Sequence, residues 1–78
     1  PARYRVRRLY VGDDRIVVEL RDGYGEIEAP LDLFPELQDA SEEERTTWRL
    51  LEGGSTIEWP MLNLRVPLQR LPPPELSW

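Results

Sequence analysis

The fold is decided by residues 15–21, which read RIVVELR. Ile16, Val18 and Leu20 alternate with residues that are mostly charged, which is the period-two pattern of a β-strand with one buried face. Val17 falls on the outer face. The stretch therefore predicts a strand that packs its aliphatic side against a core.

Turn-forming residues stand on both sides of this strand. Residues 12–14 (GDD) precede it and residues 22–23 (DG) follow it, and glycine and aspartate tolerate the positive φ angles of tight hairpin turns. Strand-like residues continue beyond each turn. We therefore predict an antiparallel meander with strands over residues 5–11, 15–21 and 24–29.

The first predicted strand is irregular. In an unbroken strand Tyr4 and Val6 would point to one side, and Leu9 and Val11 to the other. A β-bulge near residues 7–8 would place all four on one face. At the other side of the meander, the third strand is expected either to lie at a sheet edge at Pro30 or to end near it, because proline has no N–H to donate.

Helical signals follow the meander. Residues 34–37 (FPEL) predict a single helical turn. Ser41 and Glu44 have the spacing of a capping box, in which each side chain satisfies the backbone N–H of the other residue. The box predicts a helix over residues 42–50, which the glycines at residues 53–54 would end.

The last part of the predicted domain combines a strand and a helix. Residues Thr56–Trp59 have strand alternation and precede a proline, so we expect a fourth short strand. Leu64, Leu68 and Leu71 stand at helical spacing, and Pro67 suits a first helical turn, so we predict a short C-terminal helical turn that ends before the prolines at residues 72–74.

These signals predict the α+β fold class, with one domain over residues 1–71 and a Pro-rich tail over residues 72–78. Three arrangements stay open for Trp78 in that tail: disorder, docking onto the sheet, or insertion into a neighbouring subunit. The core is expected on the helix-facing side of the sheet and to contain Ile16, Val18, Leu20, Ile27, Trp48, Ile57 and Trp59.

Composition limits the chemistry. The 78 residues include no cysteine and no histidine, which excludes disulfides, thiolate and imidazole metal ligands, and histidine acid–base catalysis. We therefore expect no cofactor and no enzymatic activity.

No stretch approaches the roughly 20 apolar residues of a membrane span, and no signal for secretion stands out, so a cytoplasmic protein is expected. The net charge of −5 disfavours nucleic acid as a partner.

An ordered set of residues gives the chain a family resemblance over residues 4–71. The set is Asp22-Gly23, Ile27, Pro30-Leu31, Phe34-Pro35, Leu37, Ala40, Glu43-Glu44-Arg45, Trp48, Gly53-Gly54, Ile57 and Trp59-Pro60. With these residues the chain resembles the bacterial domain of unknown function 2442 family. The resemblance implies a compact α+β domain of prokaryotic or phage origin, often encoded beside another small uncharacterised protein, as in toxin–antitoxin pairs.

One segment departs from the family pattern. The resemblance implies an acidic run after residue 60, whereas residues 61–65 read MLNLR. A partner that binds the acidic run in the family would therefore meet a different surface here.

Two functions are weighed. The first is a non-catalytic protein-interaction module, the antitoxin-like or regulatory member of a two-protein system, with a homodimer as a further option. The alternative is a nucleic-acid-binding regulator that uses the Arg-rich first strand as a ribbon in a groove. An enzyme with paired carboxylates ranks behind both.

The candidate partner-binding residues come from the first hairpin and from the departing segment. They are Arg5, Arg7, Tyr10, Met61, Leu62, Leu64 and Arg65. Arginine, methionine and aromatic residues are enriched in interface centres. The competing interpretation is that the arginines, with Arg3 and Arg8, form cross-strand ion pairs and that the apolar residues close the core.

Overall fold

The structure, a computed structural model, describes residues 4–74 and places them in two three-stranded antiparallel sheets with short helical segments between and around them. The first sheet contains β1 (Val6–Val11), β2 (Arg15–Leu20) and β3 (Glu26–Pro30) in the order β1-β2-β3. The predicted meander is confirmed. Pro30 ends an edge strand, where its missing N–H leaves no ladder bond unmade.

The predicted bulge in the first strand is also confirmed. The register of β1 against β2 shifts between Val6 and Arg8. Val6 is buried, and Leu9 and Val11 pack against the same core cluster. The extra residue therefore turns the apolar side chains of both halves of β1 toward one face.

Short helices connect the two sheets. Leu31–Leu33 forms a 3₁₀ turn, followed by α1 (Pro35–Gln38) and α2 (Glu42–Thr46). The predicted helical turn corresponds to α1. The capping box of α2 is confirmed: the Glu44 backbone N–H donates to Ser41 Oγ at 3.2 Å, and the Ser41 backbone N–H donates to Glu44 Oε1 at 2.8 Å.

The helix predicted over residues 42–50 is wrong in its second half. The helix ends at Thr46, and Arg49–Leu51 forms strand β4. Thr47 leaves the helical region at φ −95° and ψ 84°, and its hydroxyl donates to the Glu43 carbonyl oxygen at 2.7 Å. The hydroxyl groups of Thr46 and Thr47 thus donate hydrogen bonds to carbonyl oxygens in the last turn of α2, at the point where the helix ends.

The second sheet consists of β4, β5 (Thr56–Trp59) and β6 (Leu64–Pro67) in the order β4-β5-β6. The predicted fourth strand corresponds to β5. The predicted C-terminal helical turn corresponds to the 3₁₀ turn Leu68–Arg70, whereas Leu64, which stands at helical spacing from Leu68, lies in strand β6. Asn63 explains the difference, because its left-handed φ of 52° turns the chain back to pair with β5.

One core joins the two sheets. Its strand residues are Val6, Ile16, Val18, Leu20, Ile27, Ala29, Ile57, Trp59, Leu64 and Val66. Six of the seven predicted core residues are buried, and the exception, Trp48, is partly buried. The expectation that the helix covers the first sheet is wrong, because α2 contributes no buried residue. The second sheet supplies the opposing apolar residues, so the domain is mixed and mostly β.

No helix within residues 4–74 combines the length and the apolar composition that crossing a membrane requires.

Candidate partner-binding surface

The first hairpin presents its predicted residues to solvent. Arg5 and Arg7 are exposed, and the Tyr10 side chain is 66 % exposed. Arg8 forms an ion pair with Glu19 of the neighbouring strand, with Nε 3.7 Å from Oε1. Cross-strand pairing therefore accounts for Arg8, whereas Arg5 and Arg7 have no carboxylate within 4.0 Å among residues 4–74. Arg3 lies outside the described residues.

The segment from residue 61 to 65 is only partly available to a partner. Met61 is 50 % exposed, while Leu62 packs against the core. Leu64 is 8 % exposed, so its side chain closes the core and is unavailable in the folded chain. Strand alternation in β6 turns Leu64 inward and Arg65 outward, which a helical reading of the segment does not anticipate.

Arg65 belongs to a row of three charged side chains across the second sheet. Glu58 faces Arg49 on one side and Arg65 on the other in the strand register. Nε of Arg65 donates to Glu58 Oε2 at 2.9 Å, and Nε of Arg49 donates to Oε1. The bonds from Arg65 and Arg49 hold the pKa of Glu58 below its ordinary value, although burial alone would raise it.

Sequence reasoning missed Arg49 and Glu58. The sequence predicts a helix over Arg49, whereas α2 ends at Thr46 and Arg49 pairs with Glu58 in the second sheet, a neighbour that local signals do not reveal. The alternation in β5 did carry a signal, because inward Ile57 and Trp59 require Glu58 to face outward.

A cleft of about 370 Å³ lies between the first hairpin and α2. The residues that line it include the aromatic Tyr10 and Trp48, the acidic Asp13 and Glu42, and Arg45. We call it the acidic aromatic cleft. Tyr10 is the only predicted site residue that lines it within the described chain.

The Tyr10 ring rests on Gly12. A Cβ at position 12 would lie 3.1 Å from Cε2 of Tyr10, closer than side chains normally pack. Gly12 is buried and its backbone N–H donates to the Arg15 carbonyl oxygen at 2.8 Å. The glycine therefore leaves room for the tyrosine ring beside the hairpin turn, where both residues line the cleft.

Arg45 also lines the cleft, but its guanidinium is engaged elsewhere. Nε donates to the carbonyl oxygen of Leu37 and Nη2 to that of Gln38, both at 2.9 Å. Nη1 lies 3.9 Å from Asp13 Oδ1, and the side chain is 17 % exposed. Arg45 thus holds the end of α1, and the exposed charges at the cleft are the carboxylates of Asp13 and Glu42.

The acidic run at the start of α2 serves the helix. Ser41 and Glu44 form the capping box, and the carboxylates of the first turn stand at the positive end of the helix dipole. Among the described residues, no group of three carboxylates comes together in a way that could hold a metal ion.

A second cavity, of about 460 Å³, lies where the Pro-rich tail leaves the domain. Tyr4, Leu71 and residues 72–74 line it, and the Tyr4 ring makes an edge-to-face contact with Tyr24 at a centroid distance of 5.1 Å. The start of the tail therefore lines the same cavity as Tyr4, which precedes β1. Trp78 lies outside the described residues.

Comparison with known proteins gives a family and no individual relative. No curated protein and no solved structure matches the chain. The sequence model of one family, described as a protein of unknown function (DUF2442), matches residues 6–72. This match spans both sheets and the helices that connect them. The chain therefore belongs to the domain of unknown function 2442 family.

Proposed function

We propose that the protein is a non-catalytic protein-interaction module, the antitoxin-like or regulatory member of a cytoplasmic two-protein system of prokaryotic or phage origin. The acidic aromatic cleft carries the proposal. It combines two aromatic rings with two exposed carboxylates, and it has the size to admit one long side chain. The occupant that fits is an arginine or lysine side chain of a basic partner protein.

The chemistry of the cleft favours a cation. The faces of tyrosine and tryptophan rings attract ammonium and guanidinium groups, and this attraction grows when the cation is desolvated. Asp13 and Glu42 add negative charge at the rim. The Arg45 guanidinium lies 3.9 Å from Asp13, so the two carboxylates and this one cation together leave the cleft a net charge of −1.

The charge of the whole chain supports the same type of partner. With a net charge of −5, the domain attracts a basic protein at long range, and complementary potentials speed encounter and suppress wrong pairings. Tyr10 connects the cleft to the exposed face of the first hairpin, where Arg5 and Arg7 offer charge-assisted hydrogen bonds to carboxylates of the partner.

The test uses the product of the gene adjacent to this one. The purified product is titrated against the wild-type chain and against the double variant Asp13→Asn/Glu42→Gln, which removes both carboxylates of the cleft. Glu26→Gln/Glu36→Gln is the matched control, because it changes the net charge equally at exposed positions that do not line the cleft. We expect the cleft variant to bind about tenfold more weakly, with its melting temperature unchanged.

A growth assay tests the antitoxin-like role. The adjacent gene product should inhibit growth when expressed alone, and co-expression of the wild-type chain should restore it. The cleft variant should restore growth less well than its matched control.

Three results would contradict the proposal. The first is failure of the wild-type chain to bind the product, and the second is equal affinity of the two double variants. The third is a salt-sensitive band shift with genomic DNA that Arg5→Gln/Arg7→Gln abolishes, which would favour the nucleic-acid-binding regulator.

A further inference from the structure

The outer face of the second sheet carries three charged side chains in one row. Arg49 of β4, Glu58 of β5 and Arg65 of β6 are direct cross-strand partners. Directly opposite residues have their Cβ atoms only about 5 Å apart, so the three side chains stand beside one another. We call this set the Arg-Glu-Arg row.

Burial differs sharply within the row. The Glu58 side chain is 8 % exposed, whereas those of Arg49 and Arg65 are 63 % and 69 % exposed. The two arginines thus cover the carboxylate and remain open to solvent themselves. Two positive charges and one negative charge leave the row with a charge of +1 on a chain whose net charge is −5.

The arginines keep most of their donors free. Each donates to Glu58 through Nε, and a guanidinium has five N–H groups in a planar fork. No other residue of the described chain accepts a hydrogen bond from either guanidinium. Each terminal pair of nitrogens can therefore bind a planar or tetrahedral oxyanion through two parallel bonds.

We propose that the Arg-Glu-Arg row is a binding site for an oxyanion, either a carboxylate or a phosphate group. This inference does not depend on the proposed function, because the row and the acidic aromatic cleft share no residue. Glu58 is the internal anchor that holds one guanidinium on each side of its carboxylate, through Oε1 and Oε2, and the external oxyanion would neutralise the remaining charge of +1.

The anchor makes the site preorganised. Glu58 lies on the central strand of its sheet and binds both arginines, so the two long side chains are already restrained before a ligand arrives. Restraint lowers the entropy that binding must remove from each arginine. The same bonds keep the pKa of Glu58 low, so the anchor stays ionised at neutral pH.

The test is an NMR titration of the full chain at low salt, with pyrophosphate and, separately, with glutarate. The reporters are the Nε–H resonances of Arg49 and Arg65. Arg8 is the internal control, because its exposed side chain lies on the first sheet and faces one carboxylate there, that of Glu19. We expect saturable shifts at Arg49 and Arg65 that give one common affinity, with Arg8 moving only in proportion to ionic strength.

A variant pair sharpens the result. Arg49→Lys/Arg65→Lys keeps both charges beside Glu58 but removes the forks, so binding should weaken by about tenfold. Arg8→Lys is the matched substitution and should leave the affinity unchanged. If the double variant does not fold, the proposal is tested by the wild-type chain alone, by comparing the chemical-shift changes of Arg49 and Arg65 with those of Arg8.

Each outcome has a defined meaning. Saturation by pyrophosphate alone assigns the site to phosphate groups, and saturation by glutarate assigns it to carboxylates such as the acidic side chains of a protein. Shifts that do not saturate, or shifts of equal size at Arg8, would show that the row only stabilises the sheet and would overturn the proposal.

Discussion

The indole Nε1 of Trp59 donates a hydrogen bond to the backbone carbonyl oxygen of Arg45, 3.0 Å away. In a longer α2 this carbonyl would accept from the backbone N–H of residue 49. It binds the buried tryptophan instead, while the Arg45 side chain binds the carbonyl oxygens at the end of α1. Arg45 therefore joins α2 to the buried Trp59 through its backbone carbonyl, and joins α2 to α1 through its side chain.

Trp59 is completely buried, and its replacement should be severe. Trp59→Ala should cost about 3–5 kcal/mol, a large part of the stability of a small domain, and leave little folded protein. Trp59→Phe, which keeps a ring but loses the indole N–H, should cost about 1–3 kcal/mol. Urea denaturation followed by circular dichroism measures both. A cooperatively unfolding Trp59→Ala variant of near wild-type stability would contradict the observed burial.

The capping box predicts the effect of a change at Ser41. Ser41→Ala removes the acceptor for the Glu44 backbone N–H and should lower the free energy of unfolding by about 1 kcal/mol. Ser41→Asp, which restores an acceptor at the same position, should stay close to the wild type. A denaturation midpoint that Ser41→Ala leaves unchanged would show that the box contributes nothing to stability.

Arg45 should matter more for stability than the exposed arginines do. Arg45→Met keeps the apolar stem but removes the donors to the carbonyl oxygens of Leu37 and Gln38, so we expect a loss of about 2 kcal/mol. Arg8→Met is the control and should change the free energy of unfolding by less than about 0.5 kcal/mol, because its ion pair is exposed. Equal losses in the two variants would contradict the role given to Arg45.

Glu58 makes stability depend on pH in a defined direction. Its pKa in the folded chain is lowered, first by the bond from Arg65 and then by that from Arg49, from an ordinary value of 4.5. Between the two values the unfolded chain binds more protons, so acid favours unfolding. The stabilisation is present above the ordinary value and is lost as the pH falls through the folded pKa.

Glu58→Gln isolates this contribution. Between about pH 3 and pH 7, the free energy of unfolding of the variant should fall less steeply on acidification than that of the wild type. Urea denaturation at a series of pH values measures the slopes. Parallel curves would show that Glu58 gains no stabilisation from the two arginines.

Leu64 and Met61 should respond differently to a charge. Leu64→Glu places a carboxylate in the core and should unfold the domain. Met61→Glu, at a half-exposed position, should leave the melting temperature nearly unchanged. Among the apolar residues of this segment Met61 is the exposed one, so it is the apolar position at which partner binding can be tested without unfolding the domain.

The first sheet could be predicted from sequence because its signals are local. Alternation in β2, turn residues on both sides and the irregular spacing in β1 are all contained within short windows, and the structure confirms the strands and the bulge. The capping box was equally local, since Ser41 and Glu44 are three residues apart.

The second sheet was predicted poorly because its edges depend on distant partners. Strand β4 has three residues and becomes a strand by pairing with β5, and β6 pairs after a turn at Asn63 that helical spacing of the leucines obscured. The acidic aromatic cleft and the Arg-Glu-Arg row both depend on these placements. Tyr10 and Arg65 could be selected from sequence, whereas Trp48 and Glu58 acquire their neighbours only in the folded chain.

The strand order has a consequence for how the chain folds. Every strand in both sheets pairs with a neighbour in sequence, so each meander can form by closing short loops at small entropic cost. Each sheet alone would leave one apolar face in water, and in the folded chain the other sheet covers that face. The main barrier to folding should therefore be the docking of the two sheets against each other. A chain cut between the two sheets should yield two fragments that fold only when they are mixed.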